Sequence, residues 1–517
     1  MTNRARRRRL SAALLVAGCT VGPAYHTPPA PVPTAASYRE AKSGEGAWKV
    51  ANPSDAMLRG KWWHVFREPE LDALEDRLNI NNQTIKQSFE SYMAARAQIR
   101  GARAQYFPTV TASPSVTLSR SSGATRVGSA GIGSAGGGVT GTGTTTTTTS
   151  GSGGSRVTFY TAPVEASWAP DLFGRVRNTV RQFQYAAQVS AADLENQRLL
   201  EQATLAQTYF EIRGQDAMEN LLAATVEADQ QLVALARSRF ETGIDTELSV
   251  AQAEQALQTA IVQAINARLV RAQFEHAIAT LLGVPATTFT IPKRALLAAP
   301  PPIPTGAPSQ LLERRPDIAA AERLMAQANA TIGIGYAAYF PTITLSGTAG
   351  FTSTALGQLF EWSSRAWSIG TAISETLFDA GLRRATIDQS VALYNANVAS
   401  YRQIVLTAFQ QVEDFLAQTR ILSEEIAHQR QLVTFAQRAF ELEKVRYETG
   451  VDPYLNLMTQ QLTLLTAQQT LVTLQVQAMT SAVSLIEALG GGWDRSSLPT
   501  PSEVSKTPPA SARRLQR

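Results

Sequence analysis

Two stretches of the chain alternate strictly between apolar and polar residues. In the first, Val110, Ala112, Pro114, Val116 and Leu118 share one face, and Thr109, Thr111, Ser113, Ser115, Thr117 and Ser119 the other. In the second, Ile343, Leu345, Ala349 and Phe351 stand against Thr342, Thr344, Ser346, Thr348 and Thr352. A period of two is that of a β-strand. Each stretch is followed by a partner: Tyr160, Ala162, Val164, Ala166 and Trp168 in one case, Trp367, Ile369 and Ile373 in the other. A wall with lipid outside and water inside shows this pattern. A strand of a soluble sandwich shows it too, but a polar face built almost wholly of Thr and Ser suits a water-filled lumen better. Trp168 and Trp367 fit an aromatic girdle at a membrane edge, and core packing accounts for them equally well.

After each strand pair the pattern becomes helical. Proline is absent between Val176 and Thr242, where Gly214 is the one glycine, and neither residue occurs between Asp245 and Leu282. These segments are rich in Ala and Gln with Leu at helical spacing, as in closely packed coiled coils. The longer one reaches about 90 Å at 1.5 Å per residue. A bilayer core is only about 30 Å thick, so these helices stand in water. The pattern recurs around Arg383 to Thr449 and Asp452 to Leu489. Gly243 and Gly450 follow Thr242 and Thr449 and can take the positive φ that ends a helix. Asp245 and Asp452 lie where an acid favours the next helix start. Each half should therefore carry a helical hairpin with its tip at Gly243 or Gly450.

The halves are duplicates. Tyr106-Phe107-Pro108-Thr109-Val110-Thr111 returns as Tyr339-Phe340-Pro341-Thr342-Ile343-Thr344, a shift of 233 positions. Arg239-Phe240-Glu241-Thr242-Gly243-Ile244-Asp245 returns as Arg446-Tyr447-Glu448-Thr449-Gly450-Val451-Asp452, a shift of 207, and Gly174 with Arg177 matches Gly381 with Arg384 at the same shift. The difference of 26 residues is an insertion between the Tyr-Phe-Pro and Gly174 of the first half. It falls on the low-complexity stretch 121–155, almost all Gly, Ser, Thr and Ala, which cannot bury a core and reads as a flexible loop. Gly131, Gly133 and Gly136 match a G-x-G-x-x-G pattern by chance, since no helix follows.

No run of about 18 apolar residues occurs, so no transmembrane helix is expected. The start reads instead as a secretory leader: Arg4 and Arg6 to Arg9, then apolar Leu10 to Ala17. Val16-Ala17-Gly18-Cys19 resembles a lipobox, which makes Cys19 the lipidated mature N-terminus, against the alternative of a buried free thiol. Thr20 in place of Asp favours the outer over the inner membrane. Without the leader's five Arg the 47 basic and 42 acidic residues become 42 and 42. The basic balance is thus a leader effect and gives no support for nucleic-acid binding. With one cysteine no internal disulfide forms.

The expected divisions are a signal peptide (1–18), an anchor with linker and equatorial segment (19–75), and a first repeat of helix, strand pair and hairpin (76–298). A Pro-rich linker (299–316), a second repeat (317–491) and a C-terminal tail (492–517) follow.

The chain resembles the TolC family of outer-membrane efflux proteins, in particular its lipoprotein branch with OprM- and NodT-like members. The resemblance runs through Cys19-Thr20-Val21-Gly22-Pro23-Ala24-Tyr25, Trp62-Trp63-His64-Val65-Phe66, Arg314-Arg315-Pro316-Asp317-Ile318, Ala321-Glu322, Ile332-Gly333, Tyr339-Phe340-Pro341 and both Thr-Gly tips, across nearly the whole mature chain. It implies a homotrimer in the outer membrane of a Gram-negative bacterium. Four strands per protomer would close a twelve-stranded membrane β-barrel, continued by a twelve-helix periplasmic α-helical barrel. It implies no cofactor beyond the lipid on Cys19, and no metal. Its partners would be a periplasmic adaptor, an inner-membrane pump and outer-membrane lipid. Adaptor contact would fall on the tips, at Arg239, Gly243, Asp245, Arg446, Tyr447, Gly450 and Asp452. The acidic ring that the family often carries after the second tip maps to Asn456 and Thr459, neither of them acidic, leaving Asp452 as the acidic gate candidate beside a plain capping role.

The implied function is a passive exit duct for small toxic compounds. Alternatives are the duct of a type I protein secretion system and a periplasmic coiled-coil scaffold lipoprotein, which would need no barrel strands. An enzyme is not expected. His26, His64, His276 and His428 are scattered, and Asp317 after Pro316 reads as a helix start rather than a catalytic acid.

Overall fold

A computed structural model describes residues 21–31, 38–40, 60–120, 156–296, 299–303 and 311–506. Cys19 and the stretch 121–155 lie outside the described residues. The chain divides into two compact units, one built around the strands (101–178 and 333–386) and one around the helices (23–100, 179–332 and 387–517).

The strand unit is a single antiparallel sheet of β1 (Thr109–Ala112), β2 (Ser115–Arg120), β3 (Arg156–Trp168), β4 (Thr342–Ser353) and β5 (Arg365–Ser374), ordered β1-β3-β4-β5 with β2 also on β3. The unbroken strand expected over 109–119 is interrupted at Ser113–Pro114, yet β1 and β2 keep one register against β3, with Thr109 opposite Ser167 and Ser115 opposite Thr161. Pro114 has no N–H to donate and Pro163 on β3 has none either, so the ladder lapses there. The N–H of Ser113 still donates to the Pro163 carbonyl at 3.2 Å.

The register decides which residues share a face, because directly opposed residues point the same way. Val110 lies beside Ala166, Ala166 beside Gly347 and Gly347 beside Ile369. Val116 lies beside Tyr160, Trp168 beside Leu345 and Ala349 beside Trp367. The apolar positions of all strands thus merge into one surface, and it is bare: Leu118 is 67 % exposed and Ile369 83 %. The opposite face carries hydroxyls, with Ser115 and Thr161 bonded at 2.8 Å and Thr348 and Ser368 at 2.7 Å. Trp168 donates its indole N–H to the Tyr106 carbonyl at 2.9 Å.

The helical unit is built from α1 (Pro69–Asn81), α2 (Gln83–Ala104), α3 (Arg175–Glu241), α4 (Glu247–Leu281), α5 (Pro316–Ala337), α6 (Leu382–Glu448) and α7 (Tyr454–Ala488). The duplication shows in every bound. α2 and α5 differ by 233 at both ends, and α3/α4 differ from α6/α7 by 207 at all four. At 67 residues, α3 and α6 are each about 100 Å long. Small and apolar residues recur every seventh position, buried at Ala253, Ala260 and Ala267 on α4 and at Leu457, Leu464, Ala478 and Leu485 on α7, with half-buried Leu471 between. That spacing is the coiled-coil seam. Gly214 of α3 sits where a Cβ would run into the Val476 side chain of α7, so its missing side chain lets the hairpins approach closely.

One feature differs from the sequence expectation. α7 has the length and, over its most apolar window, the character of a membrane span. Half of that window is buried inside the protein, which makes it a packed helix of the hairpin.

Two junctions obey the same duplication. Asn82, just before α2, donates its amide to the Leu281 carbonyl at the end of α4, at 2.9 Å, and accepts the Ile85 N–H at 2.9 Å. Arg315, just before α5, donates to the Ala488 carbonyl at the end of α7, at 3.1 Å. Each residue satisfies a carbonyl that a helix end leaves without a partner. Beside the first junction lies a core of Trp62, Phe66, Leu71, Leu78, Phe210, Ile278, Leu282 and Ile486. A buried ion network closes it. Arg213 bonds Glu70 and Asp216, both at 2.8 Å, and Arg271 bonds Asp216 at 2.7 Å and the Ile291 carbonyl at 2.8 Å. Arg315 also pairs with Asp317 at 2.6 Å, giving that acid a structural partner.

Farther toward the hairpin ends, Asp229 on α3 is buried and accepts a hydrogen bond from Gln461 on α7, while the Gln461 Oε1 atom is buried without a partner. Burial raises the Asp229 pKa from 3.8 to about 6, with the Gln461 bond opposing. Between those values the folded chain keeps a proton that the unfolded chain has lost, so stability falls as pH rises through the window. Asp229→Asn cannot ionise and can donate to Gln461 Oε1. Its Tm should equal that of the wild type at pH 4 and exceed it by about 2–4 °C at pH 7.5. A Tm difference that is flat with pH in thermal unfolding would remove the assignment.

Candidate functional site: the hairpin tips

The first tip follows from local chain chemistry. α3 ends where Gly243 takes φ 72°, the Gly243 N–H donates to Phe240 and the Ile244 N–H donates to Arg239, both at 2.9 Å. A left-handed residue at this position is sterically easy only for glycine. Thr246 then caps α4, its side chain accepting from the Ser249 N–H. The second tip repeats this with Gly450 at φ 80° and Pro453 ahead of α7.

Side chains tie the two tips together. Arg239 of the first reaches across and donates to the Tyr447 and Glu448 carbonyls at 2.9 and 3.2 Å. Its guanidinium lies over the Tyr447 ring, 4.7 Å from the centroid, a cation–π geometry. The Tyr447 hydroxyl donates to Asp245 at 2.9 Å. Tyr447 is fully buried, and Tyr454 packs edge-on against it with ring centroids 5.5 Å apart.

Electrostatics follow the contacts. Burial alone would raise the Asp245 pKa. Hydrogen bonds from Ser249, the Thr246 N–H and Tyr447, with the Arg239 charge, outweigh it and hold the carboxyl below its ordinary value. The Tyr447 phenol is pushed up, first by burial and then by its bond to the Asp245 carboxylate. Burial, with the nearby Asp229 charge, raises Tyr454 to about 12.

The second tip uses the equivalent residues differently. Arg446 bonds Asp452 on its own tip, and its side chain is 56 % exposed. That hydrogen bond and charge lower the Asp452 pKa. The acid expected to open the next helix is therefore held by an arginine. Phe240, the counterpart of Tyr447, is 45 % exposed and has no hydroxyl.

The structure thus brings Arg239, Asp245 and Tyr447 into one clasp, sets Gly243 and Gly450 at the turns, and pairs an exposed Arg446 with a half-buried Asp452. Asn456 and Thr459 are exposed on α7, and Thr459 turns its hydroxyl back to the Leu455 carbonyl at 2.8 Å. Sequence reasoning missed Ser249 and Tyr454. The Phe240/Tyr447 difference between otherwise matched tips was the available signal for the clasp. Among the described residues no group of His, Cys, Asp and Glu is arranged to hold a metal.

Residues 74–284 and 307–491 match the outer membrane efflux protein family. The toluene efflux pump outer membrane protein TtgC of Pseudomonas putida is 32 % identical over 491 residues, spanning 93 % of this chain and 94 % of its own. The antibiotic efflux pump outer membrane protein ArpC of Pseudomonas putida is 31 % identical over 491 residues with the same coverage. The structure of the outer-membrane channel OprN superposes with a TM-score of 0.76 at 28 % identity, over 92 % of this chain and 100 % of that one. The exposed apolar sheet, the paired hairpins and these matches together show that this chain belongs to the outer membrane efflux protein family.

Proposed function

We propose that the chain is one third of a passive exit duct in the outer membrane, serving a tripartite pump that expels small toxic compounds. The observation that carries this reading is the sheet. Its apolar face is bare and, among the described residues, its outer strands, β1/β2 and β5, each leave one edge unpaired. In hydrocarbon every backbone polar group needs a partner, so such a sheet must close on other copies. Three copies give a twelve-stranded barrel with the Thr/Ser face as lumen, over twelve hairpin helices.

The hairpin tips serve in this reading as the adaptor contact and the mouth, through Arg239, Gly243, Asp245, Arg446, Tyr447, Gly450 and Asp452. Asp452 with its Arg446 partner takes the place of an acidic ring at Asn456 and Thr459. The names of TtgC and ArpC, a toluene and an antibiotic efflux protein, support a small-molecule cargo; protein export finds no support in them. Cys19 carries the covalent lipid.

Purified protein in planar bilayers should conduct, and bilayers that stay sealed would remove the channel reading. Tyr447→Phe removes one hydroxyl-to-carboxylate bond, worth about 1.5–3 kcal/mol. It should raise the open probability about tenfold or more, and unchanged gating would show that the clasp does not hold the mouth. Gly450→Val places a β-branched residue at positive φ. It should abolish efflux-dependent tolerance while leaving the amount of membrane-inserted protein near normal; wild-type tolerance would mean that the tip lies elsewhere. Cys19→Ser should lose all acyl chains by intact-mass measurement, and a lipidated variant would disprove that site.

A further inference from the structure

The sheet's apolar face ends in a feature that neither the duct nor its tips require. β2 and β3 finish with Arg120 directly opposite Arg156. Arg120 follows Val116 and Leu118 on the same side of its strand, and Arg156 precedes Tyr160 and Ala162 on theirs, so both arginines belong to the apolar face. Both are exposed, and neither side chain is hydrogen-bonded or ion-paired among the described residues. Like charges directly opposed on neighbouring strands are unfavourable. With no counter-ion for the pair among the described residues, an external anion would relieve that repulsion.

Position narrows the anion. This end of the sheet is the one remote in the chain from α3, which leaves the opposite end after Trp168. Ten residues separate Val110 from Arg120, about 33 Å along a strand. With the usual barrel tilt of about 40° this is a rise of about 25 Å, the height of an apolar band. The arginines therefore stand at the outer rim of the band, where lipid headgroups begin. A second observation places the rim independently. In the β4–β5 connection Phe360 packs edge-on against Phe351 of the apolar face, with centroids 5.4 Å apart, and Trp362 beside it is 79 % exposed. The Trp362 carbonyl is held by Arg365 at 3.1 Å. Aromatic residues with a cation beside them mark a headgroup interface. Glu361 is the acid in that connection, and it pairs with neither Arg120 nor Arg156.

We infer that Arg120 and Arg156 form a binding site for the phosphate groups of an anionic glycolipid in the outer leaflet. Two guanidinium forks facing one way suit a phosphate, which accepts paired, charge-assisted hydrogen bonds. The inference rests on the barrel reading above.

The full-length protein, reconstituted in phosphatidylcholine nanodiscs containing either a diphosphorylated lipid A or its dephosphorylated form, provides the test. Native mass spectrometry counts the glycolipid retained per protein. The wild type should retain the phosphorylated form about tenfold more, as charge-assisted bonds to one phosphate allow. Arg120→Gln with Arg156→Gln should bring the ratio close to one, and Arg120→Lys with Arg156→Lys should keep much of the preference. An undiminished ratio in the glutamine variant, or no preference in the wild type, overturns the site. Loss of retention in millimolar inorganic phosphate would make it a free-anion site and overturn the glycolipid assignment. Protein that never enters the nanodisc overturns the barrel reading and this one with it, whereas insertion without preference overturns this one alone.

Discussion

A backbone in hydrocarbon has no water to bond, so each N–H and C=O must find a partner within protein. In the proposed duct, a sheet with two open edges and one bare apolar face would meet that condition only by closing with copies of itself. The order β1-β3-β4-β5 follows from duplication: each repeat contributes one hairpin of strands, and β3 pairs with β4 to join them. The interruption at Pro114 is tolerated because the register is kept across it, so no side chain changes face. A one-residue slip would have turned Val116 and Leu118 onto the hydroxyl face.

The helices meet a different constraint. A helix of about 100 Å is too long to be buried in a globular core, so it gains stability along a narrow seam. Ala253, Ala260 and Ala267 give close approach, and Leu457, Leu464 and Leu485 give apolar area. The shorter helices still have ends, and there the chain uses side chains. Asn82 on Leu281 and Arg315 on Ala488 are the same joint in two chemistries, an amide in one repeat and a guanidinium in the other. The first has a buried ion network beside it, in which Arg213 and Arg271 share Asp216. Removing one partner from such a network leaves an uncompensated buried charge.

Duplication followed by divergence also explains the tips. Identical turns deliver matched Arg–aromatic–acid sets, but one aromatic is Tyr447, buried and bonded to Asp245, and the other is Phe240, left exposed. A single hydroxyl separates a contact satisfied within the protomer from one that is not. The two pseudo-equivalent tips are thereby held by different side-chain sets, one reaching across to the other tip and one closed on itself.

Much of this was legible in the sequence because it depends on local periodicity and local turn chemistry. Strict alternation over 109–119 and 342–352, uninterrupted helical stretches, the glycines at 243 and 450 and the two offsets of 233 and 207 all rest on residues near one another in the chain. Tertiary structure alone decided what depends on distant partners. Whether Asp245 or Asp452 caps a helix or meets a cation turned on where Arg239 and Arg446 reach. The Asp229 carboxyl pKa is shifted upward because the packed hairpins bury it. Arg120 and Arg156, 36 positions apart in the sequence, became neighbours only through strand register. The span-like hydropathy of α7 could be read as hairpin packing only once its apolar residues were seen inside the protein. Sequence patterns specify which face of an element is apolar. What that face meets is set by the free energy of packing elements that the chain itself keeps far apart.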